Sequence, residues 1–296
     1  MSAAQTRGAP AARGTIPWPW LDRQRRVSAL KTAALALAFA PGIVLAVQWA
    51  EELLGPRALN AAIHGTGLWA VRFLLISLAV TPLRFLLDWP RVMILRRQLG
   101  LTALAYALVH LVLFAIDKGG DIGVVATEIV SRVYLAIGFT ALLGLAVLGV
   151  TSTDGMLRRL GRRWKRLHRM VYAIAVLALL HHFMQAKADV SSAVLVAGLY
   201  LWLMLSRAIP KTRQRSIAAY AVVALLATAG TMAIEFAWYA IATRINAWRV
   251  LDANFSIAFG PRPSLWVAVL GLAATAVIAA RRLRASRPPQ PQLRTA

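Results

Sequence analysis

Residues 151–182 read TSTDGMLRRLGRRWKRLHRMVYAIAVLALLHH. The first half carries seven Lys and Arg residues between Arg158 and Arg169, and from Met170 to Leu180 no side chain is charged. A basic cluster running into an uninterrupted apolar segment is the pattern of a chain entering a membrane from the cytoplasmic side. His168 opens the apolar run, and His181 and His182 lie thirteen and fourteen residues further on. A fourth histidine, His110, sits inside another apolar segment. An imidazole in hydrocarbon is costly unless something binds it, so ionisable residues there are functional candidates.

Composition extends this reading to the whole chain. Of 296 residues, 59% are hydrophobic and only 15% charged, where a soluble domain carries about 25% charged residues. The absence of cysteine excludes disulfides, thiolate metal sites and iron–sulfur clusters built by this chain. The formal net charge of +23 does not indicate nucleic acid, because the basic residues cluster between apolar runs.

Eight segments approach the roughly 20 residues that a crossing needs: 30–49, 67–87, 99–116, 133–151, 169–186, 191–206, 217–241 and 264–280. The expected fold is all-α, a polytopic membrane helix bundle. Arg91, Arg96 and Arg97, the cluster at 158–169, then Arg207, Lys211, Arg213 and Arg215, and finally Arg281, Arg282 and Arg284 all fall on one side. Glu51, Glu52, Asp117, Asp121, Glu128 and Asp189 fall on the other. Both termini are therefore expected in the cytoplasm. The connection at 242–263, with Arg244, Arg249 and Arg262 on the outer side, fits this rule least well. The first run resembles a signal peptide, but Thr32–Trp49 is long and lacks a clean cleavage site, so a retained helix is expected. Residues 1–29 read as an N-terminal cytoplasmic arm and 281–296 as a basic, Pro-rich, disordered tail. Trp18, Trp20, Trp49, Trp89 and Trp164 at segment ends suit the membrane interface. No internal repeat is evident.

Helical rise places His110 roughly 16 Å into the third segment and His181 roughly 20 Å beyond His168. Both segments run outward, so His110 and the His181/His182 pair reach similar depth in the outer half of the bilayer. Two helices offering imidazoles at one depth can hold a heme iron from both sides. A single intramembrane histidine can equally serve as a hydrogen-bonding partner for a neighbouring helix; the matched depth favours ligation. On an ideal helix, thirteen residues leave His168 and His181 roughly 140° apart, and fourteen leave His168 and His182 only about 40° apart. Geometry thus prefers His182 on the face of His168, unless a π-bulge or bend restores His181. His168 would sit near the cytoplasmic face, holding a second heme or another cofactor, or simply solvated within the basic loop. His64, in IHGTG, reads as an interfacial residue on a glycine turn. Arg72, two turns deeper, needs an anionic partner, either a heme propionate or Glu235. The chain contains no GxxxxGK[ST], HExxH, GxSxG or GxGxxG motif.

The 151–182 stretch resembles the signature region of the MsrQ (YedZ) family, within the ferric-reductase-like transmembrane group. Matching pieces are HGTGLWAVRFLLISLAVTPLR at 64–84, RRQLGLTALAYALVHL at 96–111 and SRVYLAIGFTALLGLAVLGVTST at 131–153. The resemblance covers roughly 30–207 and implies a six-helix heme-binding core there, with 208–280 as a two-helix transmembrane extension. It implies heme b on His110, His168 and His181, taking His181 over His182. It gives a weaker role to His64, a family basic residue at Arg72, and FMN as a second cofactor. The loop at 158–169 is a candidate for the flavin phosphate on charge alone.

The resemblance further implies a bacterial inner-membrane electron-transfer subunit with no catalytic residues of its own. It would take electrons from the quinone pool or a flavin reductase. It would pass them to a periplasmic molybdopterin-containing methionine-sulfoxide reductase subunit that repairs oxidised proteins. Membrane lipid is the only other expected partner. The rival readings are a stand-alone ferric or quinone reductase and a histidine-relay transporter.

Overall fold

The computed structural model describes residues 18, 20, 21, 26–186, 189–258 and 260–285. Most of the expected N-terminal arm and residues 286–296 of the expected tail lie outside the described residues. Twelve α-helices follow in order among those described: α1 (Ala29–Ala50), α2 (Ala58–Leu87), α3 (Leu95–Asp117), α4 (Ile122–Ser131), α5 (Val133–Val150), α6 (Asp154–Leu160), α7 (Arg162–His168), α8 (Val171–Gln185), α9 (Ser191–Ala208), α10 (Ile217–Ala242), α11 (Ala247–Ala253) and α12 (Pro263–Ala285). Eight crossings are long and apolar enough for a bilayer, with α7 and α8 forming one of them. The all-α, eight-span architecture expected from the sequence is therefore what the chain adopts, and the protein is a multi-pass membrane protein.

The central element is α2. Its 30 residues span about 45 Å, and 56% of its apolar window is buried, against 6% for α1. The helix begins nine residues before the expected segment, so His64, Gly65 and Gly67 stand on a helix and not in a turn. In hydrocarbon every backbone group must be satisfied internally, so the helix runs through both glycines.

Helix α1 is tied to α3 by one hydroxyl. Tyr106 Oη donates to Ala38 O at 2.8 Å and accepts from Gly42 N at 2.8 Å. These two backbone groups would bond each other in an unbroken helix. The inserted hydroxyl accommodates the local disturbance of Pro41, a usual cause of helix bending.

Between α7 and α8 the helix breaks at Arg169–Met170. Both residues keep right-handed helical angles. At the opposite end of α8, Phe183 packs on Trp238 of α10, with ring centroids 5.1 Å apart.

Helices α10 and α12 pack against α9 and against each other. Arg281 of α12 donates to Leu86 O at 2.8 Å and to Asp88 Oδ2 at 2.8 Å. It thereby satisfies the carbonyl end of α2, whose cap residue Asp88 is left-handed. The helix α12 continues to Ala285, five residues into the stretch expected as a tail.

The 243–262 connection explains its own misfit to the charge rule. Glu235, 1% exposed, receives Arg262 Nη2 at 2.5 Å and Asn254 Nδ2 at 2.8 Å. Ser264 Oγ in turn donates to Asn254 Oδ1 at 2.6 Å. Arg262 is thus one half of a buried neutral pair that pins the connection onto α10. Breaking a buried pair leaves an uncompensated charge. Because Arg262 keeps some solvent contact, Glu235→Ala is expected to destabilise the protein by about 3 kcal/mol, the lower end for such sites. Thermal unfolding in detergent, with Glu235→Ala melting at the wild-type temperature, would contradict this account.

Candidate functional site

Helices α2, α3, α5 and α8 enclose a cavity of about 370 Å³ whose mouth is formed by the end of α4 and the α8–α9 turn. That volume lies within the range of roughly 300–1,000 Å³ typical of cofactor sites. The lining is mostly apolar, and four of the five histidines, His64, His110, His181 and His182, contribute to it.

His110 and His181 face each other across this space. Their ring centroids are 6.3 Å apart with planes crossing at 78°. Two metal–imidazole bonds of about 2.0–2.1 Å, plus roughly 1.1 Å from each ligating nitrogen to its ring centre, separate the centroids by about 6.2–6.4 Å. The spacing fits one iron held from both sides. Rings that each contain the nitrogen–iron axis can cross at any angle about it, so the 78° is no obstacle.

Each ring is fixed by its other nitrogen. His110 Nδ1 lies 2.8 Å from Ile63 O, and His181 Nδ1 lies 2.8 Å from Tyr134 O. A carbonyl oxygen only accepts, so in each ring Nδ1 carries the proton and donates. The lone pair is then on Nε2, which has no hydrogen-bond partner among the described residues. This is the tautomer a metal-binding imidazole needs, and the Nδ1–H bond makes it a stronger donor.

The two arrangements are copies. Ile63, Gly67 and His110 on α2 and α3 correspond to Tyr134, Gly138 and His181 on α5 and α8, with a constant offset of 71 residues. In both, the histidine follows the carbonyl residue by 47 positions, and the glycine follows it by four. At the same offset Ala70/Ala141, Leu74/Leu145, Ala107/Ala178 and Leu108/Leu179 also match, residues too common in apolar segments to mark a repeat. The equal glycine-to-histidine spacing was the signal available.

His182 does something else. Its Nε2 lies 3.3 Å from Ser192 Oγ on α9, a helix-to-helix hydrogen bond on the adjoining face. His64 bonds back to its own helix, Nδ1 to Asn60 O at 2.7 Å. At the cavity mouth stands Asp189, whose Oδ1 accepts from Ser191 N at 2.9 Å. Hydrogen bonds from the Ser191 backbone and hydroxyl hold this carboxyl below the usual range, so the mouth carries a fixed negative charge. Neither Asp189 nor Ser192 was singled out by the sequence.

His168 is not brought to this cavity. It lies at the basic end, where its ring stacks on Trp164 with centroids 3.9 Å apart. Its Nε2 is 3.2 Å from Thr151 Oγ1, and Trp164 Nε1 donates to Thr151 O at 2.9 Å. Arg72 lies over the Trp69 ring at 4.7 Å and makes no ion pair among the described residues. Glu235, the rival partner expected for it, is committed to Arg262. No cluster of three or more metal-ligating side chains occurs among the described residues. The paired imidazoles would therefore supply two ligands to a bound group and not a complete cage for a bare cation.

The family model for the ferric reductase like transmembrane component matches residues 66–179, a span containing α3 and α5 whole and parts of α2 and α8. The chain is 44% identical over 185 residues to the protein-methionine-sulfoxide reductase heme-binding subunit MsrQ of Xanthomonas campestris pv. campestris (strain 8004), covering 60% of this chain and 85% of that one. It is 43% identical over 164 residues to the protein of the same name from Rhodospirillum rubrum, covering 55% and 79%. It is 41% identical over 192 residues to that of Xanthomonas oryzae pv. oryzae (strain MAFF 311018), covering 62% and 88%. No solved structure matches. On this similarity and this helical frame, the chain belongs to the MsrQ family.

Proposed function

We propose that the protein is a membrane cytochrome b, the heme-binding electron-transfer subunit of a methionine-sulfoxide reductase system. The observation that carries this reading is the His110–His181 pair, with Nδ1 of each tied to a helix carbonyl and the ring centres 6.3 Å apart. Heme supplies a reversible one-electron step between ferric and ferrous iron. The chain's own residues do the rest. His110 and His181 hold the iron, the apolar walls from α2, α3, α5 and α8 exclude water, and the buried position isolates the centre within the bilayer.

The paired imidazoles lie toward the end of the bundle bearing the α4 and α8–α9 connections. The distribution of basic residues supports assigning that end to the periplasm of a bacterial inner membrane, with both termini cytoplasmic. Electrons then leave at the periplasmic end, toward a molybdopterin-containing reductase subunit. They enter from the quinone pool or a flavin reductase. The resemblance also assigns His168 to iron, and ligation there requires its contact with Thr151 to break. Arg72, cationic and without an ion-pair partner among the described residues, is available to a heme propionate. FMN rests on the resemblance alone.

Two measurements test the reading. A reduced-minus-oxidised spectrum of the purified protein is expected to show six-coordinate low-spin heme b. His110→Ala and His181→Ala should each abolish this signal, while His182→Ala keeps it. Retention of the full low-spin signal in His110→Ala would remove the basis of the assignment. In proteoliposomes, the dithionite-reduced protein should be reoxidised when a periplasmic methionine-sulfoxide reductase and methionine sulfoxide are added together. It should not be reoxidised by methionine sulfoxide alone. Reoxidation by the sulfoxide without the reductase would place the chemistry in this chain instead.

A further inference from the structure

We infer that Gly67 and Gly138 are positioning residues for the two imidazoles, each opening the flank of a helix so that a histidine edge can reach a backbone carbonyl. The inference rests on the ligation reading above and adds what sets the plane and donor strength of each ligand.

A helix carbonyl has two lone pairs, and its intrahelical bond uses one. The residue four positions later supplies that bond, and its side chain flanks the oxygen. A group approaching the second lone pair from that side meets the Cβ of residue i+4. At Ile63 and Tyr134 that residue is glycine. A Cβ built on Gly67 would lie 2.9 Å from His110 Nδ1 and 3.1 Å from Cε1. On Gly138 it would lie 2.6 Å from His181 Nδ1 and 2.8 Å from Cε1. Both values are below ordinary van der Waals contact, and the nitrogen nearest the added carbon is the one donating to the carbonyl.

The other glycines of these helices behave differently. Gly65 faces the Leu45 side chain, Gly144 faces Ile174 and Gly149 faces Leu104. Those are close contacts between helices, filled by flexible apolar groups. The two glycines that meet a ligand imidazole occupy the same place in both copies of the 71-residue repeat. The coincidence of position and contact assigns them to the ligands and not to helix packing in general.

An alanine at either site must push the ring away and lengthen its Nδ1–H···O bond. A weaker bond makes the imidazole a poorer donor to ferric iron. Gly67→Ala and Gly138→Ala are therefore expected to raise the heme midpoint potential and to shift the largest g-value of the low-spin ferric EPR signal. Gly144→Ala and Gly149→Ala, which load apolar contacts on α5 outside the cavity lining, should leave both readouts at wild-type values. An unchanged potential and EPR signal in Gly67→Ala and Gly138→Ala overturns the inference, as does an equal change in the two controls.

A second experiment does not depend on those variants folding. In His110→Gly, exogenous imidazole should restore the low-spin spectrum with about tenfold higher affinity than 1-methylimidazole, whose substituted nitrogen cannot donate to Ile63 O. Equal affinities would overturn the role of the carbonyl and its glycine. Wild-type protein lacking a low-spin heme would instead sink the ligation reading itself.

Discussion

Two hydrogen bonds from imidazole Nδ1–H to helix carbonyls, one at Ile63 and one at Tyr134, set everything the site can do. An imidazole in hydrocarbon has two nitrogens to satisfy, and leaving either unpaired costs about 1–3 kcal/mol. Satisfying one nitrogen with a carbonyl decides the tautomer and points the other at whatever the cavity holds. Because the carbonyl belongs to a neighbouring helix, each bond also fixes one helix against another, α3 on α2 and α8 on α5. Ligand orientation and helix packing are therefore one structural fact. The doubling at a 71-residue offset is partial, because Thr66 Oγ1 also donates to Ile63 O at 3.0 Å, while the Tyr134 ring stacks on His181.

Many polar groups at membrane depth are satisfied locally, although Thr81 Oγ1, Trp202 Nε1 and Trp238 Nε1 are buried without a hydrogen-bond partner among the described residues. Tyr106 spends its hydroxyl on the broken hydrogen bond of α1, His182 reaches Ser192, and Arg281 caps the carbonyl end of α2. Glu235 and Arg262 neutralise each other beneath the 243–262 connection. Such pairs repay the cost of taking charge out of water only when their remaining hydrogen-bonding groups are also met, which Asn254 and Ser264 do on the Glu235 side. The C-terminal helices are joined to the core by specific polar contacts as well as by apolar area. Through Phe183 and Trp238 they also brace the end of α8 that carries His181.

Much of this was legible in the residues. Eight apolar runs gave eight crossings, because length and hydropathy decide membrane insertion almost alone. The matched depth of His110 and His181 followed from helical rise. Ideal helical angles set His168 and His181 roughly 140° apart, and the structure holds them in different surroundings, His168 beside Thr151 and His181 beside Tyr134. Glycines at 65 and 67 suggested a turn, because glycine in water-soluble chains marks one. Within a bilayer the backbone stays helical and the missing side chains are used for close approach. Arg262 violated the charge rule for a reason no linear reading contains, a buried glutamate 27 residues earlier. The repeated clamp is hard to see in the sequence because its matched glycine and histidine stand among interchangeable Leu, Ala and Val.

The arrangement also discriminates between functional classes. A histidine relay for protons needs imidazoles that can pick up and release a proton at either nitrogen, which requires rings free to exchange partners. His110 and His181 are the reverse, each locked by one nitrogen to a carbonyl that only accepts. What the chain does offer is a pair of imidazoles, each tied to a helix carbonyl, facing a mostly apolar cavity. Rigid ligation lowers the reorganisation that accompanies a change of iron charge. A site built this way favours passing an electron over performing bond chemistry, which is the division of labour expected when substrate reduction occurs on a separate subunit.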